Sequence, residues 1–172
     1  MTKQMTRLAF VLLTAATLAA PACSKKDGGA GGATSGAKAS DDKPAGGAAM
    51  KLAKLDNLSI EAGDSQVSDG MSANSAMLIG GDVGAMTVEA VATPRSEADV
   101  KAEADSFNPK NYKVEKLPDG YVVTYDNTGS MGATYFVDSQ RAIGGKTYHC
   151  TTAVSKADQQ AAAIAACKSL KK

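Results

Sequence analysis

Apolar and polar residues alternate in several short runs after residue 57. Leu58-Ser59-Ile60-Glu61-Ala62 is the first, and Met86-Thr87-Val88-Glu89-Ala90 puts Met86, Val88 and Ala90 on one side. Successive side chains of a strand point to opposite faces, so each run predicts a half-buried strand. Ser75 to Ile79 is a short apolar run stopped by Gly80-Gly81 and reads as another. Further on, Tyr112 to Leu117 and Tyr121 to Tyr125 flank Pro118-Asp119-Gly120, a turn in which proline presets φ and glycine frees it. Tyr121, Val123 and Tyr125 share a face. Asp126-Asn127-Thr128-Gly129 reads as the next turn, and Thr134 to Asp138 as a strand with Tyr135 and Val137 together. After Gly144-Gly145, the run Lys146 to Val154 turns Tyr148, Cys150, Thr152 and Val154 one way.

Two segments have the helical period. Ser96 with Asp99 three residues later forms a capping-box pattern, and Val100, Ala104 and Phe107 follow as one apolar stripe, ended by Asn108-Pro109. At the end of the chain Ser155 is the expected cap, with Asp158 three residues on. Gln159 to Ala166 is rich in alanine, the best helix former. Ile164, Cys167 and Leu170 lie near one side, and Lys168, Lys171 and Lys172 complement the C-terminal end of the helix dipole. Strands and helices together predict an α+β fold: an antiparallel sheet with one helix mid-chain and one C-terminal helix packed on it.

The first half-hundred residues have neither period. Lys3 and Arg7 precede the apolar run Leu8 to Ala19, which ends in Ala20-Pro21-Ala22-Cys23. The run matches the roughly 7–15 residues of a secretory h-region and falls short of the ~20 that span a bilayer. Residues 1–22 therefore read as a signal peptide. Ser24 to Ala49 is mostly Gly and Ala with scattered Lys, Asp and Ser. It cannot bury enough apolar surface to offset its ordering entropy, and reads as a flexible tether spanning about 28 Å. Residues 50–172 are left as a single domain.

The leader resembles that of bacterial lipoproteins, whose apolar and small-residue stretch ends in an obligatory cysteine. The resemblance implies that the Cys23 thiol carries a diacylglycerol and that cleavage leaves Cys23 as the N-terminus, anchored by acyl chains such as palmitate. It departs from the family in having Ala20 where Leu is usual. Ala20-Pro21-Ala22 also fits an ordinary Ala-x-Ala cleavage site, which would release a soluble protein. Ser24 follows the anchor position in place of the Asp that commonly retains such proteins in the inner membrane, so the outer membrane is the expected address.

The chain has three cysteines, Cys23, Cys150 and Cys167. Exported thiols tend to pair, and lipid on Cys23 leaves Cys150 and Cys167 as one structural disulfide with nothing over. Charge is nearly balanced, with 19 basic and 18 acidic residues, and loss of Lys3 and Arg7 with the leader leaves 17 against 18. No basic face for nucleic acid is suggested. Membrane attachment is expected through the lipid, with an unidentified protein or other envelope component as partner.

No catalytic, cofactor or metal motif stands up. His149, the single histidine, neighbours Cys150, but adjacent strand residues point to opposite faces, so a solvent-side histidine is expected. Asp56, Glu61, Asp64 and Asp69-Gly70 lack the spacing of a calcium loop and read as solvated. Gly80-Gly81-Asp82-Val83-Gly84 and Gly129-Ser130-Met131-Gly132 precede no helix bearing a Lys and hydroxyl pair, and read as turns. The scattered methionines read as core filler.

Tyr148, Cys150, Ser155 and Cys167-Lys168-Ser169-Leu170 make a closing Tyr-x-Cys strand and a final helix similar to those of small PsbP/Mog1-like lipoprotein domains. The similarity covers the last quarter of the chain and implies a sheet flanked by helices in a non-enzymatic accessory or binding unit. The expected function is that of an envelope lipoprotein presenting a small non-catalytic binding or scaffold domain. The alternative is an envelope hydrolase or other enzyme whose carboxylates gather only in space, in a concave pocket with perturbed titrating groups.

Overall fold

The computed structural model describes residues 48–172. The expected signal peptide, Cys23 and all but the end of the expected tether lie outside the described residues. Nine strands and two helices follow in chain order: β1 (Ala49–Leu52), β2 (Leu58–Glu61), β3 (Gln66–Asp69), β4 (Ser75–Gly80), β5 (Gly84–Val91), α1 (Glu97–Asp105), β6 (Lys110–Leu117), β7 (Gly120–Gly129), β8 (Gly132–Ile143), β9 (Lys146–Val154) and α2 (Ala157–Ser169). The fold is α+β, as the sequence predicts. Strands β3 to β9 form a seven-stranded antiparallel sheet in the order β3-β4-β5-β9-β8-β7-β6. A separate β1–β2 hairpin lies with α2 on one side of it.

The period-two readings hold where both neighbours are strands. Tyr148 and Cys150 on β9 are fully buried, with Thr152 and Val154 nearly so, and Met86 and Val88 on β5 lie beneath the same core. Helix α2 packs here against β2, β8 and β9. Its buried residues are Ala163, Ala166 and Cys167, with Leu170 just past its end, while Ile164 stays at the margin. Alanines at the contact let the helix come close to the sheet. The Cys150–Cys167 disulfide closes that gap with Cα atoms 5.8 Å apart, inside the usual bridging range of about 4.4–6.8 Å. Met86 Sδ lies 3.6 and 3.7 Å from the two sulfurs, in a buried contact. Beyond α2 the chain pairs with β2, Ser59 and Lys171 exchanging backbone hydrogen bonds of 2.7 and 3.1 Å.

Among the described residues, the other face of the sheet is covered at one end only. Val100 and Ala104 of α1 pack on Tyr121, Val123 and Tyr125 of β7. The capping box is present: Ser96 Oγ accepts from the Asp99 N–H (3.2 Å) and Asp99 Oδ2 accepts from the Ser96 N–H (2.9 Å). Turns follow backbone demand. Gly144 and Gly145 both have positive φ (59° and 80°), as a tight hairpin requires. At Gly120 a Cβ would fall 1.8 Å from the Gln140 carbonyl oxygen, so only glycine lets β7 approach β8 there.

Several expectations are corrected. Ser155 does not cap α2: Lys156 holds that position with no side-chain bond, and Asp158 Oδ1 accepts the Gln159 N–H (2.9 Å) inside the first turn. Asp126 to Gly129 is strand, not turn, because β8 extends from Gly132 and pairs with every one of those residues. Polar side chains there find partners: Asn111 Nδ2 donates to Asp126 Oδ1 (2.7 Å) and Asn127 Nδ2 to the Phe107 carbonyl (2.6 Å). Phe107 leaves the apolar stripe, since α1 stops at Asp105 and Asn108 turns the chain with φ 52°, leaving Phe107 49% exposed. Met71 and Met131 are not core filler but fully exposed turn residues. The first strand begins at Ala49, one residue ahead of the expected domain start, and β1 and β3 had no legible period.

The bridge ties α2 to β9 across the larger core. The Cys150→Ala, Cys167→Ala double variant should lose about 2–5 kcal/mol of unfolding free energy in oxidising buffer. Denaturant titration measures this, and wild-type stability in the double variant would rule out a stabilising bridge.

Candidate functional site

The half-open face of the sheet is laid out in rows of cross-strand neighbours. One row runs Glu89 (β5), His149 (β9), Gln140 (β8) and Tyr121 (β7); the next runs Thr87, Thr151, Asp138 and Val123. The third holds Ala153, Phe136 and Tyr125. Tyr125 stacks on Phe136 with ring centroids 4.6 Å apart, and Tyr112 continues the stack at 6.2 Å. The stack ends at Phe136 because its next neighbour is Ala153, whose methyl cannot fill the space an aromatic ring would. A cleft of about 470 Å³ opens there, with Phe107 and Glu103 on its α1 side.

The charged end of the cleft is built around Arg95, in the link between β5 and α1. Its backbone N–H donates to Gln140 Oε1 (2.9 Å), and the Tyr121 hydroxyl donates to its carbonyl (3.0 Å). Burial, with Asp138 nearby, pushes the Tyr121 phenol up to about 12, so it stays a donor. The Arg95 guanidinium reaches Glu103 Oε2 and, at 3.4 Å, Asp138 Oδ2. The other Asp138 oxygen faces His149 Nε2 at 3.1 Å, and His149 Nδ1 faces Glu89 Oε1 at 3.2 Å. Asp138 is thus shared between the Arg95 guanidinium and the His149 ring.

His149 is not the solvent-side residue expected. It does point away from Cys150, but into the cleft, with 12% of its side chain exposed. A neutral imidazole has one donor nitrogen; an imidazolium has two, one for each carboxylate here. Burial pulls the His149 pKa down, but hydrogen bonding and charge from Asp138, then Glu89, outweigh it and hold the pKa above the ordinary 6.5.

The remaining residues singled out in the sequence do not converge. Asp56 pairs with Lys146 (2.8 Å) and accepts from the Tyr148 hydroxyl (2.8 Å), Glu61 pairs with Lys171 (2.9 Å), Asp69 pairs with Lys54 (2.8 Å), and Asp64 is exposed. Among the described residues no group of three His, Cys, Asp or Glu is placed to hold a metal ion. Nor is any described helix long and apolar enough to cross a membrane. Cys150 and Cys167 meet in the disulfide on the opposite face, away from the cleft. Sequence reasoning passed over Arg95, Glu103, Asp138 and Phe136. Alternation did place Glu89 and His149 on the polar sides of their strands, but the pairing that makes them neighbours is not periodic information. Compared with known proteins, the chain matches no protein-family model and no curated protein.

Because His149 is the only histidine, its titration is directly observable. A pKa raised on folding contributes stability that is fully present below about pH 6.5 and is lost as pH rises through the folded-state pKa. Its imidazole NMR signal should titrate above 6.5, and unfolding free energy should decline over that same window. His149→Gln should flatten the decline. A histidine titrating at or below 6.5 would contradict the charge assignment.

Proposed function

We propose that the protein is an envelope lipoprotein, anchored through acyl chains on Cys23 to the outer membrane, and that its domain is a non-catalytic binding module whose site is the cleft beside Phe136. The observation that carries this reading is the pairing of charge in the cleft. Arg95 lies between Glu103 and Asp138, and His149 between Asp138 and Glu89. Below its raised pKa the His149 ring donates at both nitrogens and has no lone pair to act as a base. Such a site is preorganised for recognition, held on strands and braced by Tyr121 and Gln140. The leader and Cys23 support the anchor, and the buried disulfide fits an oxidising compartment. Strand β1 contributes Leu52 to the core shared with α2, on the face of the sheet opposite the cleft.

One observation favours a second reading, a carboxylate-based enzyme. Glu103 and Asp138 do gather in one concave site beside a titrating group moved from its ordinary pKa. Each of these carboxylates already faces a cation, which lowers its worth as acid or base.

Cys23→Ala should abolish lipid labelling and move the protein from the membrane to the soluble fraction, while wild-type protein sediments with the outer membrane on a density gradient. Membrane retention of the variant would refute the anchor. Fractionated envelope material added to isotope-labelled protein should shift the His149 and Thr151 NMR signals and leave the material chemically unchanged. Turnover seen by mass spectrometry would move the assignment to the enzyme.

A further inference from the structure

We infer that the ligand of this cleft is a neutral, polyhydroxylated ring, a saccharide unit, lying with its less polar face on Phe136 and its hydroxyls among Thr87, Thr151, Asp138 and His149. The inference rests on the cleft being a binding site and names the chemistry it takes. Phe136 supplies the platform. One side of its ring stacks on Tyr125, and on the other side the row continues only as Ala153. An aromatic face carries partial negative charge, which suits the weakly positive C–H groups on one face of a sugar ring.

The polar groups argue for hydroxyls over ions. Thr87 and Thr151 on the floor each donate or accept. Asp138 and Glu103 accept, and Arg95 donates through the guanidinium N–H groups that these two carboxylates leave free. A hydroxyl does both, so a polyol can satisfy this mixed set without adding charge. An incoming cation would meet Arg95; an anion would meet Glu103 and Asp138. Glu103 and Asp138 are each already paired with Arg95, so neither ion finds an unpaired partner there.

Size and placement agree. About 470 Å³ lies within the roughly 300–1,000 Å³ of ligand pockets and takes one or two sugar rings. The floor beyond Phe136 is Ala85 and Ala153, both exposed, so further rings can run out along the sheet. Site and platform sit on paired strands, which limits the ordering that binding demands.

The test is an NMR titration of the mature chain carrying Cys23→Ala. The neutral probes are maltotriose and triacetylchitotriose; the charged probes are trilysine and inorganic phosphate. A neutral trisaccharide should move the His149 ring and Thr151 amide signals with a Kd on the order of 1 mM or tighter. Phe136→Ala should weaken binding about tenfold, and Phe136→Tyr should retain it. Should Phe136→Ala fail to fold, Thr151→Val on the half-exposed floor replaces it, with a several-fold loss expected. Shifts outside the cleft, or undiminished binding by a folded Phe136→Ala or Thr151→Val variant, overturn the inference. Trilysine or phosphate moving the cleft signals while sugars do not overturns the ligand class and leaves the binding site standing. If no probe moves them the class is again overturned, and the envelope-material titration decides separately whether the cleft binds anything.

Discussion

The register of β9 between β5 and β8 governs both the core and the cleft. Every second residue of this central strand faces α2, and the others face the open side. Tyr148, Cys150 and Thr152 pair with Ala90, Val88 and Met86 on one neighbour, and Thr147, His149 and Thr151 pair with Val91, Glu89 and Thr87. A slip of one residue would put His149 in the apolar core and Cys150 among the charges. The disulfide holds against this, because Cys167 can be reached only from the buried side. The bond that staples α2 therefore also keeps His149 between Glu89 and Asp138.

The second constraint is one of coverage. Seven strands at about 4.8 Å spacing make a sheet nearly 30 Å wide. One face has α2 and the β1–β2 hairpin over it. Among the described residues the other has only α1, whose nine residues span about 13 Å. Beyond the edge of α1 the sheet must face water, and the residues there are Thr, Glu, His and Ala. The cleft lies at this boundary, where aromatic packing under α1 ends against small residues. Phe107, released from the helix by Asn108, stands at its rim instead of in the core.

The charges at that boundary are interdependent. Asp138 is held by both Arg95 and His149, and Arg95 is placed by Gln140 and Tyr121 through its backbone. Removing one member would leave another partly buried charge without its counterpart, which costs more than the net worth of the pair. The network thus gives the rim a defined geometry, and the protonation of one imidazole sets the balance of charge within it.

The sequence by itself determined what depends on local pattern. Alternation in Met86–Ala90 and Lys146–Val154 identified the core face, Ser96 and Asp99 identified the start of α1, and counting cysteines identified the Cys150–Cys167 pair. The leader and Cys23 are legible only there, since they lie outside the described residues. Tertiary structure decided whatever depends on partners far along the chain. Asp126 to Gly129 has turn-forming residues, yet β8 supplies a continuous ladder and the segment becomes strand. Ser155 has a capping side chain, but α2 starts at Ala157 with Lys156 in the cap position. His149 looked solvent-facing because period two says which side a residue faces, not what stands opposite. Glu89 and Asp138 come from separated segments, and no local spacing records that antiparallel pairing puts them around one imidazole.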